Sequence, residues 1–468
     1  MRYDTLIIGA GLAGLAAGIR LSMYERKVAI LERHSLLGGL NSFYRLRGRR
    51  HDVGLHALTN ATAARTGALS RVLRQLRVSR DELALGAQRR SLIRFPDLSL
   101  SFSNEPELFE SELAAAFPAR RDALAALHGE LAAFAPDGRA AAFASARAEL
   151  LRRLGDERLV DALLLPICYY GSPLENDIDW TQFRILFQSL FREGIARPRG
   201  GIRTLLAALK TRLESCGAEL RTNCGVARIR LDGARAVGVE LDDGSELACD
   251  HLLSSAGLDE TLALCGRGGA DARAGAAPGR DLSFLESIHV LDRTPAALGL
   301  DAAVAFYCTA DRLCYAQSDE PTEPRCGVLS CPGNYADQEA EVATLVRQTV
   351  IANPLRWREL AASGDDAYRA AKLAHSARAA AAAAQLFPDW SPHTRDLDVF
   401  TPRTIEHYTG HVNGRVYGSP DKRLDGDVGI GDLHLIGTDQ GYLGIVGAMM
   451  SGIAIANRHV LQAAGGTA

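Results

Sequence analysis

The sequence predicts an α/β protein in which a doubly wound, Rossmann-type nucleotide-binding domain is interrupted twice by an α+β domain. Three observations predict this fold. Residues 3–32 alternate strand, glycine turn, helix and strand, and residues 432–461 read as a strand, a glycine turn and a long helix. The chain of 468 residues is also too long for a single core. We expect the nucleotide-binding domain at 1–90, 196–270 and 396–468, and the second domain at 91–195 and 271–395.

The first element pair carries a dinucleotide-binding motif. The apolar run YDTLII (3–8) precedes Gly9-Ala10-Gly11-Leu12-Ala13-Gly14, which reads G-x-G-x-x-G and opens a helical pattern. Gly9 permits the tight turn, Gly11 leaves room for a pyrophosphate, and Gly14 allows close helix–strand packing. The helix N-terminus then offers free N–H groups and a positive dipole end to the phosphates. The alternative is a tight turn without a nucleotide.

An acidic residue stands at the distance that this motif requires. The second apolar run, KVAILE, ends at Glu32, whose carboxylate is placed to accept hydrogen bonds from the adenosine ribose. A second glycine pair follows at Gly38 and Gly39, which lets another backbone stretch approach the pyrophosphate.

The segment that follows changes character. SLIRFPDLSLSFS (91–103) alternates as a β-hairpin does, and helices rich in Ala, Leu and Glu come next, broken by Pro118 and Pro136. Between residues 167 and 191 these helices carry aromatic side chains, namely Tyr169, Tyr170, Trp180, Phe183, Phe187 and Phe191. They line either an apolar substrate tunnel or an ordinary core.

The remaining chain returns to the first pattern. Residues 198–217 form a helix that Gly217 ends, and strands follow to about residue 256, with turns at Asp232-Gly233 and Asp243-Gly244. Residues 270–395 mix strands with helices, including the Ala-rich tract at 377–387. The chain closes on a strand, a glycine turn and a long helix. The alternative for this last unit is a buried strand with a core helix.

Composition excludes several classes of protein. The net charge is −3, and two short arginine-rich patches, at 45–50 and 196–203, are solvated faces or phosphate neighbours rather than a nucleic-acid surface. The nine cysteines are irregularly spaced without C-x-x-C, so we expect neither a disulfide framework nor a zinc site, and mostly buried free thiols. We see no signal peptide and no run of about 18 apolar residues that would span a membrane. We therefore expect a cytoplasmic protein.

Two stretches resemble the FAD-binding signature of the amine oxidase and phytoene desaturase superfamily. The first is Glu32 followed by five residues and the glycine pair; the second, PRGGIRTLLAALKTRLESCGAEL with V-x-R-I, is similar to that family's middle signature. The resemblance implies FAD, a glutathione-reductase-like fold, and contact between Val226 and the adenine. The terminal IGTDQGYLGIVGAMMSGIAIA resembles the family's flavin-closing segment, which implies N–H groups on the isoalloxazine and Asp439 on a ribityl hydroxyl.

One submotif narrows the resemblance. His51-Asp52-Val53-Gly54-Leu55-His56 reads D-x-G-x-H and, with G-T-D-x-x-x-x-G-I-V-G-A, looks most like the retinol saturase and carotenoid isomerase branch. The D-x-G-P loop and P-G-G-G turn of phytoene desaturases are missing, and Leu40 stands where amine oxidases usually have arginine. Simple phytoene desaturation and classical amine oxidation are both disfavoured.

The predicted site residues follow from the motif and the resemblance together. The predicted cofactor-binding residues are Gly9, Ala10, Gly11, Leu12, Ala13, Gly14, Glu32, Arg33, Gly38, Gly39, Leu40, Gly54, Leu55, His56, Val226, Ala256, Gly437, Asp439, Gly444, Ile445 and Val446. His56 is either a proton donor or acceptor near the flavin or a structural histidine. Tyr442 is the second catalytic candidate, Gln440 also lies in the flavin-facing loop, and Tyr417 either walls the cavity or packs a turn. No metal constellation is evident.

Three functions stay open. The resemblance favours an FAD-dependent oxidoreductase that acts on a conjugated or isoprenoid chain by desaturation, saturation, isomerisation or reductive cyclisation. The alternatives are an amine or amino-acid oxidase and a flavin-dependent scaffold without catalysis. An apolar substrate implies peripheral membrane contact near residues 160–191. We expect no nucleic-acid partner, and the sequence leaves the oligomeric state open.

Overall fold

The computed structural model describes residues 1–54, 56–62, 67–135, 143–267 and 281–462. Leu55, one of the predicted cofactor-binding residues, and Pro136, a predicted helix breaker, lie outside these ranges. The strands are β1 Arg2–Ile8, β2 Val28–Leu31, β3 Phe43–Leu46, β4 Arg49–Asp52, β5 Leu58–Thr59, β6 Leu85–Ala87, β7 Ser91–Phe95, β8 Leu98–Phe102, β9 Ile195–Pro198, β10 Glu219–Arg221, β11 Val226–Asp232, β12 Arg235–Leu241, β13 Glu246–Ser254, β14 Ser283–Leu291, β15 Val304–Cys308, β16 Thr322–Ser330, β17 Leu345–Ala352, β18 Thr394–Phe400 and β19 Leu433–Leu435. The helices are α1 Leu12–Ser22, α2 Ala68–Leu76, α3 Pro106–Ala116, α4 Arg121–Ala133, α5 Ala146–Leu154, α6 Glu157–Gly171, α7 Trp180–Phe187, α8 Ile202–Ser215, α9 Leu258–Leu264, α10 Pro354–Ala362, α11 Asp365–Ala383, α12 Pro402–Thr409 and α13 Gly444–Ile455.

The first sheet gathers strands from both ends and the middle of the chain. Its order is β10-β2-β1-β13-β12-β11, and β19 pairs with β13. β10, β2, β1, β13 and β19 are mutually parallel, whereas β12 and β11 form an antiparallel extension. The predicted β-α-β unit at the N-terminus is confirmed, as is the terminal strand–turn–helix.

Helices pack closely against one face of this sheet. α1, α8 and α13 share a core with side chains of β1, β2 and β13, and α1 lies directly against α13. Small residues permit that contact, because a Cβ at Gly452 of α13 would overlap the carbonyl oxygen of Ala13. The first and last helices of the fold are thereby fixed side by side.

The second sheet belongs to a separate layer. Its order is β18-β14-β17-β16-β15-β7-β8, and it is antiparallel apart from the β15–β7 pair. β7 and β8 form the predicted hairpin. One face is covered by α10 and α11, which bury Trp357 and Trp390 against it.

The helices α3 to α7 cover the other face of the second sheet. Phe183, Phe187 and Phe191 are almost fully buried. The rings of Phe187 and Phe191 pack against Phe109, and that of Phe191 also meets Phe102. The ring of Phe183 packs against Phe187. These phenylalanines are therefore core residues, and the alternative that they line a tunnel is wrong. The reason is that helical spacing directs them at the hairpin β7–β8, whose own inward side chains fill that space.

One expectation about membranes needs correction. The stretch Gly444–Leu461, which is α13 with a π-helical turn after it, is long and apolar enough by length and composition to cross a membrane. Half of it is buried inside the protein, where it packs against α1. Apolar composition here accompanies a core position between two layers, and length and composition alone are weak evidence of a span.

Candidate cofactor-binding and active site

The first glycine turn has the geometry that its spacing predicts. Gly9 has a φ of +91°, a conformation that glycine adopts freely. A Cβ at Gly14 would overlap the carbonyl oxygen of Gly9, so this position needs glycine for helix–strand packing. In contrast, a Cβ at Gly11 would meet nothing within 4 Å. Open space therefore lies in front of Gly11, at the start of α1.

The N-terminus of α1 is left free for an anion. Gly11 is its N-cap, and within the described ranges no side chain caps this end. The first N–H groups of a helix lack intrahelical partners and form a natural phosphate site. Glu32 lies at the end of β2, is buried, and accepts the N–H groups of Ala10 (2.8 Å) and His34 (2.9 Å). The same carboxylate keeps lone pairs for ribose hydroxyls.

The second glycine pair lies against the first turn. Gly38 donates its N–H to the carbonyl oxygen of Ala10 at 3.0 Å, and a Cβ at Gly39 would lie 3.5 Å from Cα of Gly11. Gly54 follows in the same layer, where a Cβ would overlap the carbonyl oxygen of Leu40. The predicted residues 38–40 and 54 thus border the space in front of α1.

The C-terminal turn reaches the same space from the other side. A Cβ at Gly437 would lie 3.6 Å from Cβ of Ala13, so this turn touches the start of α1. α13 begins at Gly444, with φ +73°, and no described side chain caps it either. Ile445 and Val446 point into the core that α13 shares with α1. Two uncapped helix N-termini therefore lie at one internal site, which suits a ligand with a pyrophosphate and an electron-rich ring.

Asp439 organises the turn that joins these elements. Its carboxylate is buried and accepts the N–H groups of Leu258 (2.7 Å) and Ser419 (2.8 Å). It thereby ties the N-terminus of α9 and the loop at 417–424 to the turn at 437–443. The structure gives Asp439 this organising role, and its predicted contact with a ribityl hydroxyl stays a prediction.

The adenine end of the predicted site is assembled from three strands. Cys224 donates its N–H to the carbonyl oxygen of Glu32 at 2.9 Å, which brings the start of β11, with Val226, beside the end of β2. Ala256, just after β13, donates its N–H to Oγ of Ser254 at 3.3 Å. Arg33 is exposed beside Gly410. These positions fit the adenosine half of a dinucleotide.

Two tyrosines lie near the turn that leads to α13. Tyr170 and Tyr417 are partly accessible and pack against the apolar core under α3 to α7. The Tyr170 hydroxyl donates to Oγ1 of Thr59 at 3.0 Å and would lie 2.8 Å from a Cβ at Gly444. Burial raises the pKa of Tyr170 to about 12. The Tyr417 hydroxyl donates to the carbonyl oxygen of Tyr169.

His56 faces the second sheet. Its Nε2 lies 3.4 Å from Oγ1 of Thr349 and 3.8 Å from Oε2 of Glu286, and a quarter of its side chain is accessible. Burial, together with the nearby guanidinium of Arg347, lowers the pKa of His56 to about 4. His56 is therefore neutral at physiological pH. The imidazole of His56 thus contacts the side chains of Thr349 and Glu286, whereas the structural alternative predicts bonds to the backbone.

The other loop candidates differ in their surroundings. Gln440 is buried and donates to the carbonyl oxygen of Leu424, so its amide braces the turn. Tyr442 is half-buried and lies against Gly447 in the first turn of α13. Tyr442 remains the candidate of this loop for contact with a substrate.

Sequence reasoning missed two buried ion pairs near the site. Asp52 of the D-x-G-x-H submotif pairs with Arg197, and Glu286 pairs with Arg347 across β14 and β17. All four side chains are nearly inaccessible. The available signal was a charged residue inside an otherwise apolar strand, as in SFLESIHVL and LVRQTVIA, because such charges are buried only when they are paired.

Comparison with known proteins gives a matching family model and several relatives of low sequence identity. The family model for flavin-containing amine oxidoreductases matches residues 12–265. The chain is 24% identical to a chloroplastic prolycopene isomerase of Arabidopsis thaliana over 297 residues, which are 54% of this chain and 47% of that protein. It is 25% identical to a phytoene dehydrogenase of Streptomyces griseus over 291 residues, 56% of each chain. The matched region thus spans about half the length of these relatives.

Solved structures share the fold. An oxidoreductase from Methanosarcina mazei superposes with a TM-score of 0.68 at 18% identity, covering 98% of this chain and 100% of that one. A variant of putrescine oxidase superposes with a TM-score of 0.62 at 14% identity, covering 98% and 99%. The likeness at these identities shows the fold, and the two uncapped helix ends fit FAD as the cofactor.

Proposed function

Because the chain belongs to the flavin-containing amine oxidoreductase family, we propose that it is an FAD-dependent oxidoreductase acting on the carbon skeleton of an apolar, conjugated substrate. The substrate class follows from the relatives, whose names include a prolycopene isomerase and a phytoene dehydrogenase. The reaction is a desaturation, a saturation, an isomerisation or a reductive ring closure of a polyene. About half the length of each relative is matched, and their activities support the proposal.

The observation that carries the proposal is the neutral, aromatic wall beside the N-terminus of α13. Tyr170 and Tyr417 are partly accessible there, and the ring of Phe284 meets that of Tyr417 edge-on at 5.6 Å. His56 is neutral because burial lowers its pKa to about 4. Glu286, the carboxylate that faces His56, is paired with Arg347. Such a wall suits an uncharged, flat hydrocarbon chain better than a cation.

Different residues of the site would bind and orient different parts of FAD. FAD, when bound, supplies hydride transfer, which the protein side chains do not provide. Gly11 and the free N–H groups of α1 would hold the pyrophosphate, with Glu32 on the ribose. The N-terminus of α13 would place its positive dipole end at the ring system. α6, whose Gly171 lies against Leu443 just before α13, would help to exclude water there.

An assay with defined substrates tests the proposal. Oxidised, FAD-loaded protein is mixed without oxygen with all-trans and cis polyenes, and the flavin absorbance is followed while products are separated and weighed by mass spectrometry. We expect flavin bleaching with a product 2 Da lighter, or, after reduction of the flavin, a product 2 Da heavier or an isomer of unchanged mass. If no polyene changes mass, geometry or flavin absorbance, while amines bleach the flavin, the proposed substrate class is wrong.

Amine oxidation is the second candidate, favoured by two observations. The fold resembles that of putrescine oxidase, and Tyr170 and Tyr417 offer two aromatic rings to a cationic substrate. Against it, the buried arginines near the site are already paired: Arg197 with Asp52, and Arg347 with Glu286. Bleaching by putrescine or by an aromatic amine, with release of an aldehyde, would favour this candidate. The polyene assay above, run in parallel, separates the two.

We also propose that the protein works in the cytoplasm and touches membranes peripherally. Support for the membrane contact comes from the substrate class, because a conjugated hydrocarbon partitions into lipid and has to enter the protein from the bilayer. Flotation of the purified protein with liposomes, with and without a dissolved polyene, tests this. Binding to neutral and anionic vesicles supports peripheral contact, and absence of binding at every lipid composition contradicts it.

A further inference from the structure

We propose that Lys422 is a positioning residue of the flavin site: its ammonium group fixes the turn at 437–443 and lends positive charge to the reduced cofactor. The inference rests on the flavin chemistry of the proposed function, but it does not depend on the substrate. Lys422 belongs to none of the motifs and lies in the loop at 417–424, well before the flavin-closing segment in sequence.

The ammonium group joins two chain segments. Nζ of Lys422 donates to the carbonyl oxygen of Tyr417 at 2.6 Å and to that of Thr438 at 3.2 Å. It also lies 3.8 Å from Oδ1 of Asp439. Two of the three N–H donors of the ammonium group are thus used by carbonyl oxygens, and the carboxylate of Asp439 lies at ion-pair distance. Tyr417 packs against the apolar core, and Thr438 and Asp439 belong to the turn that leads to α13.

The loop that carries Lys422 lies directly under this turn. A Cβ at Gly441 would lie 3.7 Å from Cβ of Lys422, and a Cβ at Gly418 would overlap Oδ1 of Asp439. Asp439 in turn receives the N–H of Ser419 from the same loop. Removal of the ammonium group would therefore release the turn that positions Gly444, the first residue of α13.

The charge of Lys422 is poorly shielded by water. Only 15% of its side chain is accessible. Burial lowers the pKa of Lys422 to about 8, an effect that Asp439 opposes and Arg415 adds to. A charge in such surroundings acts more strongly on a neighbouring charge than it would in water.

The neighbouring charges are largely compensated among themselves. Arg415 pairs with Asp259 and Asp281. On the loop itself, Asp421 pairs with Arg423. Beyond Asp439, His411 faces Glu260 at 3.8 Å. At the turn itself, the ammonium group of Lys422 faces the carboxylate of Asp439. A new negative charge close to the turn would add to the attraction that Asp439 exerts on that ammonium group.

Reduction of a flavin supplies such a charge. If Lys422 stabilises it, the oxidised protein loses the Lys422 proton near pH 8, whereas the reduced protein retains it to a higher pH. Reduction above about pH 8 then takes up two protons per electron pair instead of one. Below pH 8, the midpoint potential should fall by about 30 mV per pH unit, which is a tenfold change in the equilibrium constant of reduction. Above pH 8, it should fall twice as steeply.

The test compares Lys422→Met and Lys422→Arg with wild type, and uses Lys210→Met as the matched control, since Lys210 is an exposed lysine on α8. The midpoint potential of each FAD-loaded protein is measured by dye equilibration from pH 6.5 to 9.5, alongside the dissociation constant of FAD. We expect K422M to lower the equilibrium constant of flavin reduction at pH 7 by about tenfold or more, which is a midpoint potential lower by about 30 mV. The plot of its midpoint potential against pH should keep a single slope from pH 6.5 to 9.5. K422R should stay near wild type at pH 7, and K210M should match wild type at every pH.

Two results would overturn the proposal. One is a K422M protein with the wild-type potential, even if it binds FAD more weakly, since that pattern belongs to a purely structural lysine. The other is a wild-type potential whose slope does not change through pH 8, a result that holds even if K422M fails to fold. Neither reading uses a substrate, so a failure of the polyene assay leaves this test intact.

Discussion

Gly11 is the residue at which the site depends most directly on a missing side chain. Its φ of −67° is open to any residue, and a Cβ there would meet no protein atom within 4 Å. The neighbouring Gly9 and Gly14 are different, because the fold itself needs them without side chains. Gly11 thus separates the needs of the cofactor from the needs of folding.

Gly11→Val should therefore abolish cofactor binding without unfolding the protein. The isopropyl group fills the space in front of α1 that the pyrophosphate requires. We expect the apoprotein to keep its melting temperature within about 2 °C, because surface-type substitutions change stability by less than about 0.5 kcal/mol. FAD affinity, measured by fluorescence titration, should fall at least a hundredfold. Gly129→Val, at an equally open and exposed position on α4, should leave FAD affinity unchanged. Equal loss of affinity in both variants would refute this role.

Glu32 has a structural role and a role in FAD binding. Glu32→Ala leaves the N–H groups of Ala10 and His34 without their acceptor, and Ala10 is fully buried. An unsatisfied buried donor costs about 1–3 kcal/mol, so we expect a lower urea midpoint in addition to weaker FAD binding. Glu214→Ala, on the exposed side of α8, serves as the control. A Glu32→Ala protein with unchanged stability and unchanged affinity would show that the carboxylate does neither.

At the scale of elements, the contact between α1 and α13 brings the two ends of the chain to one site. The helices approach closely because Gly452 has no side chain facing the carbonyl oxygen of Ala13. Gly452→Ala should push the helices apart and cost about 1–3 kcal/mol, as overpacking does. We expect a lower melting temperature and weaker FAD binding together. Gly129→Ala on α4 should stabilise the protein, since alanine favours helix. If Gly452→Ala melts at or above the wild-type temperature, this contact is less tight than described.

The sequence predicted elements well where pattern and turn chemistry agree. β1, α1, β2, the β7–β8 hairpin, and the strands from 219 to 254 follow from apolar runs with glycine turns, and all are present. The strand β17 was missed because Arg347 and Gln348 interrupt its apolar run. Their burial depends on Glu286 and on the Tyr307 hydroxyl, partners distant in sequence. Pattern alone does not reveal such pairing.

The same limit applies to the site. The glycine turns were recognisable because backbone geometry restricts them to glycine. Lys422 was not, because its role depends on two carbonyl oxygens, of Tyr417 and Thr438, that only the folded chain brings together. The aromatic residues of α7 likewise have helical spacing whether they face a tunnel or a core, and only the hairpin β7–β8 decides between these.

At the scale of the whole molecule, buried neutral histidines make stability depend on pH. Burial lowers the pKa of His289 to about 4, as it does for His56, whereas both protonate near pH 6.5 in the unfolded chain. The unfolded state then binds more protons between these values, so stability is full above about pH 6.5 and falls towards pH 4. His411 contributes in the opposite direction, because its pKa is raised. Burial lowers the pKa of His411, but the hydrogen bond to Glu260 outweighs burial.

His289→Phe tests this at one position. Phenylalanine retains the ring against Trp390 and removes the titrating group. Wild type should lose about 1.4 kcal/mol per pH unit for each such histidine as the pH falls below 6.5. In urea unfolding at pH 7 and pH 5, the variant should therefore lose less stability than wild type between the two. An equal loss in both proteins would assign the acid sensitivity to other groups.

The central claim is that both ends of the chain converge on one FAD molecule. Hydrogen–deuterium exchange with mass spectrometry, run on the full chain with and without FAD, tests it in a single experiment. The account predicts that FAD protects peptides covering residues 9–14 and peptides covering 437–447 together, at the same FAD concentration. Protection at one end alone, or protection at neither, would contradict it.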